Sequence, residues 1–362
     1  MKKTAEAAKK MLTSKGTAKS RISVKDMLST GSTLVNLACT GKAKGGFAKG
    51  FYYFFVGDSE SGKTWVCLSC LAEANINPAF DDYRFIYDAP EDGALMDFEH
   101  YFGKGVADRI EPPRVAEGEP VYSATAEEFY DHVDDACKGD RPFIYILDSM
   151  DALSTTQEQE KYQAQKKARR KGTEAPGSYG DGKAKINAQG IRTLLPKLKK
   201  TGSILIIICQ TRDNIGTMSM DKKSRSGGHA IKFYATLELW TSVAGQLKKT
   251  VNKKPRQIGI ITEVRVKKNR VTGRKRRVQI PIFHSYGIDD IGSCIDFLLL
   301  ENHWKRVTGG INASDFDYKG SREGLIKKIE DEDLLTELRS IVSQVWRELD
   351  EACAVNRKPR YR

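Results

Sequence analysis

Four short and almost entirely apolar runs constrain the fold of this 362-residue chain more than any other feature. They lie at residues 51–56, 84–89, 142–149 and 203–210, and most are separated by segments with helical periodicity. Runs without polar alternation are typical of strands buried on both faces, and parallel strands need helical crossovers between them. The pattern therefore predicts an α/β fold with a mostly parallel, twisted sheet between layers of helices.

The character of the chain changes after Phe233. Three β-rich runs, at residues 233–242, 256–269 and 277–284, follow one another without helical spacers, which predicts antiparallel additions to the sheet. From residue 289 to 362 we expect a small α/β C-terminal domain that ends in a basic tail and contains an amphipathic helix at 337–349. The core domain is then residues 29–288.

Two further segments carry predictions of their own. Residues 1–28 are predicted to be a short N-terminal helix, at 4–13, followed by a linker that docks on a neighbouring subunit. Residues 157–185 contain no Val, Ile, Leu, Met or Phe, so this basic segment is predicted to lack regular structure until a ligand orders it.

Positive charge is concentrated rather than spread. The formal net charge is +13, and residues 246–277 hold 13 Lys and Arg against a single acid, Glu263. Clustered charge of one sign favours a polyanionic partner such as nucleic acid over a merely solvated surface. The tail after residue 355 adds four more cations.

Several classes of protein are disfavoured by composition. Seven cysteines scattered along the chain do not form a disulfide framework and indicate a reducing compartment. The apolar runs are much shorter than the roughly 20 residues that a membrane span needs. We therefore expect a cytoplasmic protein without a membrane partner.

The segment GDSESGKT, which follows the first apolar run, fits the pattern G-x-x-x-x-G-K-[ST]. In such a loop the backbone N–H groups hold phosphate oxygens at the start of a helix. The lysine contacts the β- and γ-phosphates, and the hydroxyl binds Mg²⁺. The predicted nucleotide site contains Gly57, Asp58, Ser59, Glu60, Ser61, Gly62, Lys63, Thr64 and the adjacent Trp65.

Polar side chains also end two of the other apolar runs. Asp148 follows the run PFIYIL, where a carboxylate can hold the Mg²⁺ of a bound nucleotide together with Thr64; the alternative role is a helix cap. Gln210 ends the run SILIIIC, at the edge of the sheet where ligands bind in open α/β folds, or it is simply a polar residue at the border of the core.

The ordered set of motifs resembles the RecA recombinase family, as a divergent or phage-type member. The family's Walker A motif resembles GDSESGKT, its Walker B strand resembles ILDSMDAL at 146–153, and its second DNA-binding loop resembles ICQTRDNIGTMSMDKKSRSGGHAIKFYA at 208–235. TEVRVKKNR at 262–270 is similar to the family's basic strand, and GIDDIGSCIDF at 287–297 to the start of its C-terminal domain. The resemblance implies a P-loop NTPase core of the RecA type.

The resemblance also implies roles for individual residues. Gln210 would sense the γ-phosphate, and Lys268 and Arg270 would act in trans on the ATP of a neighbouring subunit, although contact with the DNA backbone remains the alternative for these two cations. The residues implied in DNA binding are Arg212, Ile215, Gly227 and Gly228 in the second loop, and Arg169, Arg170 and Lys183 in the basic segment that resembles the first loop.

The chain departs from the family pattern in places. Matching without gaps puts Pro90 where the family has its water-positioning glutamate, so Glu91 takes that role after a shift of one residue, with Asp88 as the fallback. Adenine would stack on His284 or Tyr286, and both stay open.

The predicted function is that of an ATP- and Mg²⁺-dependent DNA recombinase, a DNA-dependent ATPase. It would form helical filaments of identical subunits on single-stranded DNA and exchange strands with homologous double-stranded DNA. Two alternatives remain at this stage: a hexameric helicase with the same core fold, and a nucleotide-gated protein that binds or anneals single strands with little ATP turnover.

Overall fold

A computed structural model of the chain describes residue 23 and residues 26–91, 95–171, 182–213, 223–225 and 228–358. For residues 212, 213, 223–225, 228 and 229 the description covers the backbone alone. The helix predicted at 4–13 lies outside the described residues, as does the end of the basic tail after residue 358.

The strands are β1 Met27–Leu28, β2 Phe47–Ala48, β3 Tyr52–Gly57, β4 Arg84–Asp88, β5 Ile110–Glu111, β6 Arg114–Ala116, β7 Glu119–Val121, β8 Phe143–Leu147, β9 Ile204–Asp213, β10 Lys223–Arg225, β11 Leu237–Val251, β12 Lys254–Asn269, β13 Arg277–Phe283, β14 Gly287–Ile288, β15 Lys305–Val307, β16 Gly310–Ala313 and β17 Tyr318–Gly320. The helices are α1 Thr33–Thr40, α2 Lys63–Asn75, α3 Phe98–Phe102, α4 Lys104–Ala107, α5 Ala126–Lys138, α6 Thr156–Lys171, α7 Lys183–Thr201, α8 Gly228–Tyr234, α9 Asp290–Leu300, α10 Arg322–Asp331 and α11 Leu335–Ala352.

The central sheet has the strand order β14-β13-β12-β11-β3-β9-β8-β4-β5, with β10 paired to β9. All neighbours from β11 to β5 are parallel, whereas β11, β12, β13 and β14 pair antiparallel in succession. The mostly parallel α/β sheet predicted from the apolar runs is thus confirmed.

Both faces of this sheet are buried, which explains why its strands are apolar throughout. On β3, Tyr53 and Phe55 pack into one core cluster with α1, α2 and the C-terminal helices. Tyr52, Phe54 and Val56 point the other way, into a second cluster with α5 and α7. Side chains alternate across a strand, so a continuous apolar run fills two cores at once.

One of the three runs expected to be purely antiparallel differs from that expectation. Strand β11 pairs antiparallel with β12 but parallel with β3, so it joins the two halves of the sheet. The strand begins at Leu237, because Phe233 and Tyr234 belong to the end of helix α8. Aromatic residues favour strands in general, but at this aromatic pair tertiary packing outweighs that preference.

The prediction that residues 157–185 lack regular structure is wrong for their first half. Helix α6 covers Thr156–Lys171, although none of its residues is buried. Thr155 and Glu158 form a reciprocal cap at its start, with Glu158 N donating to Thr155 Oγ1 (3.1 Å) and Thr155 N donating to Glu158 Oε2 (2.8 Å). The prediction rested only on the absence of apolar residues. It ignored this cap and the high helix propensity of Gln, Glu, Ala, Lys and Arg.

The C-terminal part contains α9, α10, α11 and a small antiparallel sheet of β15, β16 and β17, as expected for a small α/β unit. The amphipathic helix predicted at 337–349 is confirmed as α11, which buries Leu338, Val342, Val345 and Trp346. Asp290 links this part to the core, because it accepts hydrogen bonds from the Thr33 backbone N–H (2.6 Å) and from Arg339 (2.9 Å). Among the described helices, none is both long and apolar enough to cross a bilayer.

Two glycines on the long strands provide a test of this packing. A Cβ on Gly259 of β12 would lie 2.3 Å from the Ile282 carbonyl oxygen, whereas on Gly245 of β11 its nearest neighbour would be a side-chain carbon at 3.5 Å. Gly259→Ala should therefore lower the free energy of unfolding by about 1–3 kcal/mol, as overpacking does. Gly245→Ala should not lower it, and urea unfolding of both variants measures the difference. Equal stability of the two variants would contradict the described pairing of β12 with β13.

Candidate nucleotide-binding site

The phosphate-loop motif lies between the carboxyl end of β3, at Gly57, and the start of α2, at Lys63. A Cβ on Gly57 would approach Thr241 Oγ1 to 2.1 Å, so only glycine fits there. Gly62 has a φ of +85°, in the left-handed region, and its Cβ would approach Ile282 to 2.6 Å. The loop is therefore wrapped tightly around the first backbone amides of α2, which is the arrangement that binds phosphate.

Three strands hold the loop in place. Ser61 Oγ lies 2.7 Å from Thr241 Oγ1 on β11, and Thr262 Oγ1 on β12 donates to the Ser61 carbonyl oxygen (3.1 Å). Thr211 on β9 donates from its hydroxyl to the Asp58 carboxylate. Because these contacts exist within the protein itself, little reorganisation is needed to bind phosphate.

Lys63 is the buried cation of the loop. Its ammonium donates to the carbonyl oxygens of Gly57 (3.0 Å) and Asp58 (2.5 Å). Burial lowers the pKa of this ammonium below the ordinary value for lysine, while the charge of Asp148 opposes the shift. A desolvated ammonium interacts strongly with phosphate, because less water competes for it.

Thr64 and Asp148 form the oxygen-rich part of the site. Thr64 Oγ1 donates to Asp148 Oδ2 at 2.5 Å, and Tyr87 OH donates to the same oxygen at 3.3 Å. Burial raises the pKa of the Asp148 carboxyl, and the nearby Glu91 charge raises it further. A hydroxyl and a carboxylate brought together beside a phosphate loop are the hard oxygen donors that Mg²⁺ prefers, so the residues present fit Mg²⁺ with a nucleotide.

Glu91 and Gln210 meet beside Asp148. Glu91 Oε1 accepts from Gln210 Nε2 (3.1 Å) and from Ser149 Oγ (2.6 Å). The backbone N–H of Gln210 donates to Asp151 Oδ2 (2.6 Å), which fixes the end of β9. The carboxyl ends of three neighbouring strands thus bring one exposed carboxylate and one amide together at the nucleotide site. Sequence reasoning missed Ser149 and Asp151, although both belong to the segment ILDSMDAL.

Asp88, the fallback for the water-positioning role, has a different environment. Its carboxylate is fully buried and accepts from the Ser123 backbone N–H (2.9 Å), from Ser123 Oγ (2.6 Å) and from Tyr145 OH (2.7 Å). These donors occupy both oxygens and tie Asp88 to the interior. The geometry therefore favours Glu91 over Asp88 as the carboxylate available to a reacting water.

Aromatic residues surround the start of α2. The Trp65 ring packs edge-on against Tyr101 with centroids 4.9 Å apart, and Phe102 lies 5.7 Å away. A Cβ on Gly287 would lie 3.4 Å from the Trp65 ring, so this part of the chain lies beside Trp65. Tyr286 and His284, which come just before Gly287 in the chain, are both exposed. Sequence reasoning missed Tyr101, because it lies far from the loop motif along the chain and only the aromatic-rich stretch 98–102 marks it.

Lys268 and Arg270 converge on the end of helix α8. Lys268 Nζ donates to the carbonyl oxygens of Lys232 (2.7 Å) and Phe233 (2.6 Å), and Arg270 Nη2 also donates to the Phe233 oxygen (2.6 Å). Both cations lie at the amino-terminal edge of the parallel strands, since Arg270 N bonds to Thr236 O and Thr236 N bonds to Tyr52 O. The phosphate loop begins at Gly57, five residues along β3 from the level of Arg270 and three residues from the level of Lys268, or about 16 Å and about 10 Å along the strand.

The residues implied in DNA binding are only partly described. The backbone of Arg212 belongs to β9, which pairs antiparallel with β10, and Gly228 is the first residue of α8. Ile215 and Gly227 lie outside the described residues. Arg169 and Arg170 are exposed on α6, but Lys183 is buried and donates to the Leu153 carbonyl oxygen. A buried, hydrogen-bonded ammonium is unavailable to phosphates, so Lys183 does not belong with the two arginines.

The ends of β11 and β12 form a two-stranded ribbon beyond the sheet, which we call the basic ribbon (residues 246–257). Its five cations, and no acid, are Lys248, Lys249, Lys253, Lys254 and Arg256, all exposed. Lys249 lies directly opposite Arg256 in the strand register. Like charges in that position destabilise a sheet, so this pair does not stabilise the fold, and the ribbon presents a surface of positive charge.

Together, the parallel sheet, the loop between β3 and α2, and the facing Thr64 and Asp148 define the class of P-loop nucleotide-binding α/β proteins. A family model described as the RecA N-terminal domain matches residues 144–289. Protein RecA of Cytophaga hutchinsonii is 30% identical over 306 residues, which cover 82% of this chain and 74% of that protein. Protein RecA of Clostridioides difficile is 25% identical over 322 residues, or 86% and 81% of the two chains. The chain belongs to the RecA family.

The different environments of Asp88 and Glu91 predict different effects of replacing each carboxylate by the corresponding amide. Asp88→Asn should lower the free energy of unfolding by about 2–3 kcal/mol, because at least one of its buried donors loses its acceptor. Glu91→Gln, at an exposed position, should change it by less than about 0.5 kcal/mol. Urea unfolding followed by circular dichroism compares the two variants. A stable Asp88→Asn protein would mean that this carboxylate is not a structural element.

Proposed function

We propose that this protein is an ATP-dependent DNA recombinase. It binds ATP and Mg²⁺ between adjacent copies of itself, assembles into a helical filament on single-stranded DNA, and exchanges strands with homologous double-stranded DNA in recombination and repair. It is a DNA-dependent ATPase in this proposal. A cytoplasmic location goes with the DNA substrate and with the thiol state expected of its seven cysteines.

The observation that supports the proposal most is the separation of the two cations from the loop of their own chain. Lys268 and Arg270 lie at the amino-terminal edge of the parallel strands, and Lys63 lies at the carboxyl edge. Lysine and arginine side chains are too short to span the distance along the strands between these two edges. The pair therefore serves a triphosphate held by a neighbouring copy, and the nucleotide becomes part of the subunit interface.

Within one copy, the geometry described above supports a role for each residue of the site. The amides at the start of α2 and the Lys63 ammonium hold the β- and γ-phosphates, and Thr64 with Asp148 would hold Mg²⁺. When bound, the metal neutralises charge on the phosphate oxygens. Glu91 orients the attacking water, and Gln210, hydrogen-bonded to Glu91, detects the γ-phosphate. The cations of the neighbouring copy stabilise the charge that develops on the transferred phosphoryl group.

Three basic elements support a DNA partner. The hairpin of β9 and β10 follows Gln210 directly, helix α6 presents Arg169 and Arg170, and the basic ribbon adds its five cations. Contacts of this kind address phosphates, so binding should depend little on base sequence. Bases of a single strand would in addition stack on exposed aromatic residues such as Tyr162, which is 56% exposed on α6.

Electron microscopy with single-stranded DNA and a non-hydrolysable ATP analogue tests the assembly. The wild-type protein should form helical filaments, because each triphosphate joins two copies. Lys63→Ala should form none under the same conditions, since the loop loses its only buried ammonium among the described residues.

Other outcomes of this imaging would point elsewhere. Closed rings would favour the helicase alternative. Filaments without DNA-stimulated release of phosphate from ATP would favour a binding or annealing protein with little turnover. A protein that stays monomeric and ignores the oligonucleotide at low ionic strength would overturn the proposal.

The basic ribbon gives an independent test of the DNA partner. Replacing Lys249 and Arg256 together by Gln should reduce the log–log slope of single-strand affinity against salt by about 0.7 for each phosphate that the ribbon no longer neutralises. The same change should leave the free energy of unfolding equal or higher, because a like-charge pair facing across the ribbon is removed.

A matched control is the replacement of Lys104 and Lys138 by Gln. Each of these exposed lysines pairs with a carboxylate on its own helix or turn, at 2.7 Å to Asp108 and 2.7 Å to Asp135. The control should leave the slope unchanged. An unchanged slope in the ribbon variant as well would remove the ribbon from the DNA surface.

A further inference from the structure

The second residue of β11, Glu238, is a completely buried carboxylate in the most basic part of the described core. Its exposed fraction is 0%, and its register partner on β12 is Lys268. Two more cations, Lys232 of α8 and Lys267 of β12, lie close by. None of the nucleotide or DNA contacts described above involves Glu238, so its burial needs another explanation.

The contacts of Glu238 fix the end of helix α8. Its Oε1 accepts from Trp240 Nε1 at 3.0 Å, and its Oε2 lies 3.8 Å from Lys232 Nζ. The Trp240 ring is in turn covered by the ammonium of Lys267, 3.4 Å from the ring centroid. The carboxylate thus joins the last turn of α8 to the start of β11 and, through Trp240, to β12.

The last turn of α8 holds the two cations that we assign to the neighbouring nucleotide. The carbonyl oxygens of Lys232 and Phe233 accept from Lys268, and the Phe233 oxygen also accepts from Arg270. Carbonyl groups at the end of a helix attract cations, because they lack partners within the helix and carry the negative end of its dipole. Two cations on one oxygen nevertheless repel each other, so their arrangement depends on where this helix end lies.

We propose that Glu238 is a positioning residue for catalysis in trans. By anchoring Lys232, it sets the last turn of α8, and that turn sets the direction in which Lys268 and Arg270 point toward the neighbouring triphosphate. This role rests on the proposed function and deepens it. Glu238 serves the copy that donates the cations, and it does not serve the nucleotide bound by its own chain.

The chemistry of the site supports a positioning role over simple filling of the core. An apolar residue would fill a buried position without the desolvation that a carboxylate suffers there, and replacing buried ionic groups by apolar ones is often neutral or stabilising. The presence of a carboxylate at residue 238 is therefore explained by its role in orienting the last turn of α8. Misplacing a catalytic group by about 1 Å lowers a rate by up to roughly 100-fold.

Glu238→Gln is the first variant, since it keeps the shape of the side chain and removes the charge. We expect DNA-stimulated turnover to fall by about 10- to 100-fold, with the KM for ATP changed less than about threefold, because the loss concerns the transition state alone. The matched control is Glu263→Gln, which removes a carboxylate of β12 that contacts Arg265 and Arg277 instead of α8. It should keep wild-type turnover.

Mixed filaments locate the defect on one side of the interface. Lys63→Arg protomers, defective in their own loop, carry intact Lys268 and Arg270. When they are mixed with Glu238→Gln protomers, turnover should rise well above that of either variant alone, because intact cations then meet intact loops. The same mixture made with Lys268→Ala in place of Glu238→Gln tests the trans arrangement itself. If Glu238→Gln does not fold, Lys232→Ala replaces it, since this lysine is half exposed and its removal breaks the same link.

The outcomes distinguish the role of Glu238 from the proposed function. Rescue in both mixtures supports the role of Glu238 on the donating side. Rescue with Lys268→Ala alone, or wild-type turnover of Glu238→Gln by itself, overturns that role and leaves the proposed function in place. No rescue in either mixture overturns catalysis in trans, and the role of Glu238 with it.

Discussion

A parallel sheet has two chemically different edges, and this constraint governs the rest of the molecule. The carboxyl ends of β3, β4, β8 and β9 meet at one edge, so residues far apart in the chain, from Lys63 to Gln210, come together there. The opposite edge receives the end of β12 with Lys268 and Arg270. In the proposed function, one chain therefore presents complementary halves of a nucleotide site on opposite sides, which suits assembly by repetition of a single contact.

Much of this arrangement was predictable from the sequence, because it depends on local patterns with strong physical meaning. The strand before Gly57 is apolar on both faces, and the motif that follows has glycine at its first and sixth positions, so strand, loop and helix come in that order. Asp148 was predictable for the same reason. Glu91 required a shift past Pro90, and its hydrogen bonds to Ser149 and Gln210 now explain why the shifted residue lies in the site.

The remaining differences arise where tertiary contacts or caps outweigh composition. Helix α6 forms without a buried face, because Thr155 and Glu158 cap it and its residues favour helix. Lys183 belongs to a basic stretch of sequence, but its ammonium is turned toward Leu153 inside the protein. Tyr101 lies beside Trp65 through the packing of α3 against α2, a contact that no periodicity along the chain encodes.

Strand β9 connects the nucleotide site mechanically to the hairpin beyond it. Within four consecutive residues it carries Gln210 against Glu91, Thr211 against Asp58 of the phosphate loop, and the backbone of Arg212 and Asp213 in the hairpin with β10. Such an extended segment behaves as a stiff rod about 10 Å long. A ligand that fixes one of its ends lowers the entropy cost of fixing the other end. Two ligands that bind at its opposite ends and both order it therefore strengthen each other's affinity, and linkage makes the factor the same for both.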